Sequence, residues 1–279
     1  MTNAAADKQK FASRVDREIN AHFKPNPWSV EESLILAAHI LSENGHFGGL
    51  AGQCSARGRE PGTYWTLRLG AGFDEASQDN LVLVDDDLNV LKGEGIPNPA
   101  TRFHLWVYRV RPDVNCILHT HPPATSALSM IKSDLVVAHM DATPFHDNCA
   151  WLPEWPGLPI ADDEGQIISE ALGNKQALLA AHHGLLTAGR NVEEAAYLAV
   201  YLERAADLQL RASAAGQIRP VPAALAAESR DFLLKPLIVG MTFAYWARRI
   251  LRNNPDCLAP AKPAITAANS SPPPAPFQP

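Results

Sequence analysis

Short apolar runs alternate with stretches of helical hydrophobic period through the middle of this chain, and that alternation constrains its fold more than any other feature. A strand buries one face and a helix one stripe, so an alternating order forces helices onto the faces of a shared sheet. The strand-like runs are "NLVLVDDDLNVLKGEG", read as a strand, an acidic turn and a second strand; "VNCILHTH", cut off by Pro122-Pro123; "LVVAHM"; and "QALLAAHHG", which runs into a turn. "GGLAGQCSARGREPGTYWTLRLG" reads as a loop followed by short strands, and the proline-rich segment 141–159 as a structured loop.

Helices fill the intervals. Ser29 with Glu32 forms a capping box for a helix through Leu34, Ile35, Ala38 and Leu41, which Gly45 can close. Phe103, Val107 and Val110 recur at helical spacing in "ATRFHLWVYRVR". "ATSALSMI" and "EGQIISEALG" are short helices, and Asn191 with Glu194 caps a long one to about Ala215, with Leu198, Tyr201, Leu202, Ala205 and Leu208 as its buried stripe. A last helical stretch is interrupted at Pro236. The expected organisation is a lead-in over 1–28, one α/β catalytic domain over 29–252, and a disordered Pro/Ala-rich tail over 253–279.

Composition narrows the function classes. A chain of 279 residues with 46% hydrophobic residues can bury a sizeable core, and a net charge of −6 with scattered basic residues gives no nucleic-acid footprint. No apolar run is long enough to span a bilayer, and the first ten residues lack the pattern of a secretory leader. Cys54, Cys116, Cys149 and Cys257 form no CxxC pair, which predicts free thiols and a cytoplasmic location. The run Asp85-Asp86-Asp87 reads as a solvated turn, because adjacent side chains on extended backbone point apart.

The histidines carry the chemistry. Residues i and i+2 of a strand share a face, so His119 and His121 present two imidazoles to one surface, and Pro122-Pro123 puts them at a strand mouth. A second strand ends at His182-His183-Gly184, where one imidazole can join that pair. Three such ligands on one divalent ion leave a position open for water or substrate. The same donors suit zinc, manganese or Fe(II).

"TRFHLWVYRVRPDVNCILHTHPPATSAL", "AAHHGLLTAGRNVEEAAYLAVYLERAADLQL", "GLAGQCSAR" and "LVLVD" resemble the class II aldolase/adducin family, over roughly Val30 to Gly216. The resemblance implies a three-layer α/β/α sandwich with a central mixed, largely antiparallel sheet. It also implies a homotetramer with active sites between subunits, and one divalent metal ion held by His119, His121 and His183, with His182 structural. Four positions depart from the family's aldolases. Ala100 stands where they carry a Glu acid/base, Asn98-Pro99 where a Ser-Ser pair holds phosphate, and Gln53 at a phosphate-loop Asn. In addition, Trp155 stands near where a Tyr protonates the leaving carbon, and indole cannot do that work.

Loss of the Glu with retention of the imidazoles favours decarboxylation of a small aromatic or 2-keto carboxylate over aldol cleavage. The alternatives are oxidative decarboxylation of an aryl-pyruvate by non-haem iron, an aldolase, and a non-catalytic adducin-like module. Tyr64, Trp65, Trp151 and Trp155 are expected to offer stacking surface for a ring. Arg102 is a candidate clamp for a substrate carboxylate, and His139, Asp141 and His146 are candidate acid/base groups.

Overall fold

A computed structural model describes residues 3–46, 48–158 and 162–260. Its strands are β1 (Gln53–Arg57), β2 (Tyr64–Leu67), β3 (Leu81–Val84), β4 (Val90–Lys92), β5 (Cys116–Thr120), β6 (Cys149–Leu152), β7 (Ala177–Ala180) and β8 (Leu185–Gly189). They form one sheet in the order β4-β3-β2-β1-β5-β8-β7-β6. Only the edge pair β6–β7 is parallel; the other neighbours run antiparallel. The helices are α1 (Asn3–His22), α2 (Val30–Glu43), α3 (Arg102–Val110), α4 (Pro123–Met130), α5 (Asp162–Leu172), α6 (Val192–Ala215), α7 (Ala223–Leu233) and α8 (Pro236–Asn253).

Alternation along β5 divides the core between the two faces of the sheet. Cys116 and Leu118 pack with Leu34 and Ile35 of α2, Leu198 and Leu202 of α6, and Phe243 of α8. Ile117 packs on the other side with Phe103 and Val107 of α3 and Ile168 of α5. The chain is thus the expected sandwich of helices on both faces of a mixed, largely antiparallel sheet. The predicted caps are present: Ser29 Oγ accepts from the Glu32 amide at 3.2 Å while Glu32 accepts from the Ser29 amide at 2.8 Å, and Asn191 Oδ1 accepts from the Glu194 amide at 2.8 Å. Helices α3 and α5 approach closely because Gly165 has no side chain; a Cβ there would collide with the Trp106 ring.

The structure corrects several local expectations. "LVVAHM" is not a strand: the Val136 amide donates to Gln209 Oε1 and the Val137 carbonyl accepts from the Val221 amide, so no ladder is available to it. The expected loop over 141–159 contains β6, which pairs with β7. "LLTAG" after Gly184 is β8; it is buried throughout, and so lacks the period-two signal of a half-exposed strand. Val110 is 56% exposed instead of completing the stripe of α3. The chain stays packed beyond residue 253, with Cys257 buried against the main core; the remainder of the expected tail, from residue 261, lies outside the described residues. All four cysteines are free thiols. No helix among the described residues is long and apolar enough to cross a membrane.

Candidate metal centre

The site is assembled where β5 ends beside the β7–β8 turn. His119 lies on β5 between Gln53 of β1 and Leu186 of β8, its register partners. Its Nδ1–H donates to the Leu185 carbonyl at 2.7 Å, which fixes the tautomer and leaves Nε2 with a free lone pair. Pro122 has no amide to extend the ladder, so β5 stops and His121 stands at its mouth. On the opposite face Thr120 Oγ1 bonds His46 Nδ1 at 2.8 Å.

The β7–β8 turn is closed by two backbone bonds, Ala180 N to Gly184 O at 3.0 Å and His183 N to Ala180 O at 3.1 Å. His182 takes the left-handed conformation with φ +58° and leaves its side chain exposed, which directs His183 towards β5. Gly184 permits the approach: a Cβ there would fall inside contact distance of the Thr120 carbonyl oxygen and 2.6 Å from His121 Cδ2.

The three imidazoles therefore meet. One ring nitrogen of each lies within 4.8 Å of the others, and the ring centroids are 4.6–4.7 Å apart. His119 Nε2 and His121 Nε2 face each other at 2.9 Å. Tetrahedral ligands at ~2.0–2.1 Å from an ion stand roughly 3.3 Å apart, so modest ring rotation suffices for an ion to fit. Burial holds all three rings below the usual histidine range, His183 at about 4, with the neighbouring imidazoles adding to the effect on His119 and His183. Neutral imidazoles with free lone pairs are the form that binds a metal.

The four other predicted residues are not joined to this cluster by any hydrogen bond among the described residues. Arg102 Nε donates to Asp162 at 2.8 Å, and the same oxygen accepts from Trp106 at 3.0 Å, so the guanidinium is engaged at the start of α5. Exposed His139 accepts from the Asp141 amide at 3.1 Å, Asp141 pairs with Arg204, and His146 lies 3.5 Å from Asp147. Two of the aromatic residues belong to the core: Tyr64 stacks on Tyr108 with centroids 4.9 Å apart, and Trp65 packs with the α2 side. Trp151 is half-buried against that core, and Trp155 is 52% exposed. Ala100 follows Pro99 in a single 3₁₀ turn whose cap, Asn98 Oδ1, accepts the Ala100 amide at 3.0 Å.

Sequence reasoning missed the polar layer behind His119. The Phe103 ring meets His119 edge-on at 5.1 Å. Next to it, buried His104 bonds Ser55 Oγ through Nδ1 at 2.7 Å, and Tyr108 donates to the Ser55 carbonyl at 3.0 Å. The available signal was "RFHLWVY", in which His104 and Tyr108 are one turn apart on α3.

Burial pushes His46 and His104 each down to about 3. In the unfolded chain both take up protons below about pH 6.5. Their contribution to stability is therefore complete above that pH and is lost as pH falls towards about 3, at about 1.4 kcal/mol per pH unit for each histidine. Denaturant melts of wild type and His104→Gln at descending pH are expected to give a shallower acid slope for the variant; parallel slopes would contradict the buried neutral state.

The family model described as Class II Aldolase and Adducin N-terminal domain matches residues 32–210. The chain is 32% identical over 225 residues to the 4-hydroxy-3-prenylphenylpyruvate oxygenase/4-hydroxy-3-prenylbenzoate synthase of Streptomyces roseochromogenus subsp. oscitans, covering 79% of this chain and 81% of the relative. It is 30% identical over 220 residues to Decarboxylase NovR of Streptomyces niveus, covering 78% and 81%. The solved L-fuculose 1-phosphate aldolase of Glaciozyma antarctica PI12 shares the fold, with a TM-score of 0.76 at 24% identity over 84% of this chain and 96% of that one.

Proposed function

The chain belongs to the class II aldolase and adducin family, and on that premise we propose that it is a metal-dependent carbon–carbon lyase that decarboxylates a small aromatic or 2-keto carboxylate. The observation that carries this reading is the convergence of three imidazoles, and it is supported by the resemblance, which implies that Ala100 stands where the aldolases carry a Glu. A divalent ion, when bound, polarises a carbonyl or carboxylate and accepts the electron density left by a broken carbon–carbon bond. His119, His121 and His183 would hold it. The Leu185 carbonyl orients His119, and buried Phe103, in contact with buried His104, closes one side of it. Decarboxylation leaves no hydroxyl proton to remove, so it has no need of a carboxylate at position 100.

A second reading, oxidative decarboxylation of an aryl-pyruvate with Fe(II) and oxygen, is favoured by one observation: a relative at 32% identity carries an oxygenase name. Either activity is compatible with a homo-oligomer whose subunits complete the pocket, and with Arg102, His139, Asp141 and His146 contributing from its periphery.

Elemental analysis followed by a panel of aromatic and 2-keto acids tests both. The expected result is bound divalent metal and carbon dioxide release without oxygen uptake. Oxygen uptake in step with carbon dioxide, restricted to the Fe(II) form, would replace the first reading by the second. No bound metal and no rise in melting temperature on adding it would remove both.

A further inference from the structure

Helix α4 connects the two ligand-bearing segments. It begins two residues after His121, and near its other end the Ser129 carbonyl accepts from the His182 amide at 3.2 Å, one residue before His183. α4 is therefore continuous with one ligand and bonded to the backbone beside another.

This helix is gripped from α6. The Ala124 and Thr125 amides, in the first turn of α4, donate to the two carboxylate oxygens of Glu203 at 2.7 and 2.8 Å. First-turn amides have no partner within their own helix, and an anion there also meets the positive end of the dipole. A little further along α6, buried Gln209 accepts from the Val136 amide at 2.7 Å and donates to the Asp134 carbonyl at 2.9 Å, fixing the chain after it leaves α4. Within a helix that packs mainly through Leu198, Leu202, Ala205 and Ala206, these two polar side chains hold the segment at both ends.

Resting on the three-histidine reading, we propose that Glu203 is a positioning residue of the metal centre. Its carboxylate, through the first turn of α4, sets the place of His121 and, through Ser129 and His182, that of His183. Its carboxylate bonds the backbone of α4 and none of the three imidazoles. Groups bonded directly to a ligand affect metal affinity about 10–100-fold when removed, and Glu203, which acts one step further out through α4, is expected at the lower end of that range.

The test is a titration of the metal-free full chain with Co(II), following the visible d–d bands, alongside thermal melts of the metal-free form. Glu203→Ala is expected to weaken Co(II) binding about 10-fold and to change the band pattern, with Glu203→Gln intermediate because its amide keeps one acceptor oxygen. Glu194→Gln is the control: this buried carboxylate accepts the Arg190 amide at 2.7 Å and its guanidinium at 2.6 Å, away from the centre. The control should lower the melting temperature and leave Co(II) affinity and spectrum unchanged. Should Glu203→Ala fail to fold, Glu203→Gln decides. Wild-type affinity and spectrum in a folded Glu203 variant would overturn the positioning role alone. Equal binding by wild type and His183→Ala would instead overturn the three-histidine reading, and this inference with it.

Discussion

Replacing His183 with alanine is expected to abolish stable metal binding while leaving the fold intact. The side chain projects from a turn, is half-exposed, and is not part of either apolar core, so truncation opens no large cavity. What it removes is one of three donor nitrogens. Losing an outer partner of a ligand already costs about 10–100-fold in affinity, so losing the ligand itself should cost at least ~100-fold. Metal content after gel filtration, together with Co(II) titration, measures this. His182→Asn is the matched comparison: residue 182 is exposed at φ +58°, and Asn tolerates that conformation. The variant should retain its metal. Retention by His183→Ala with loss by His182→Asn would reverse the assignment of the pair.

Gly184→Ala is expected to act on stability and metal binding at once. The added methyl would press on the Thr120 carbonyl oxygen and lie 2.6 Å from His121 Cδ2 and 3.3 Å from His121 Cα. Two of these three atoms are backbone and cannot rotate away, so the ends of β5 and β8 must part. Overpacking of this kind costs about 1–3 kcal/mol. Because His121 follows directly on β5 and His183 lies in the turn that leads into β8, metal affinity should fall about as far as in His183→Ala. The two variants then separate cleanly: both lose metal, and only Gly184→Ala lowers the melting temperature of the metal-free form. An unchanged melt for Gly184→Ala would mean that the two strand ends do not meet as closely as described.

The layers and the histidine convergence were legible in the sequence because each rests on local chemistry. An HxH cut off by two prolines and an HHG turn specify a strand mouth and a sharp reversal, whatever surrounds them. What was not legible depends on partners distant along the chain. Arg102 finds Asp162, Asp141 finds Arg204, and Val136 finds Gln209, and each of these pairings decides a local conformation or role. "LVVAHM" has a strand's composition, but its hydrogen bonds go to a helix side chain and a loop. β8 failed the alternation test for the opposite reason, since both of its faces are buried. Glu203 reads as an ordinary polar residue beside the stripe of α6, and only the packing of α4 gives it two amides to hold.

Five residue pairs already join β5 to β8, from Cys116 opposite Gly189 to Thr120 opposite Leu185. An ion at the end of this seam would bind a socket that the polypeptide builds unaided, unlike a zinc finger, which needs its metal to fold at all. Exchange of one divalent metal for another should therefore proceed without unfolding, and under the proposed function the cation supplied would then select between the two reactions.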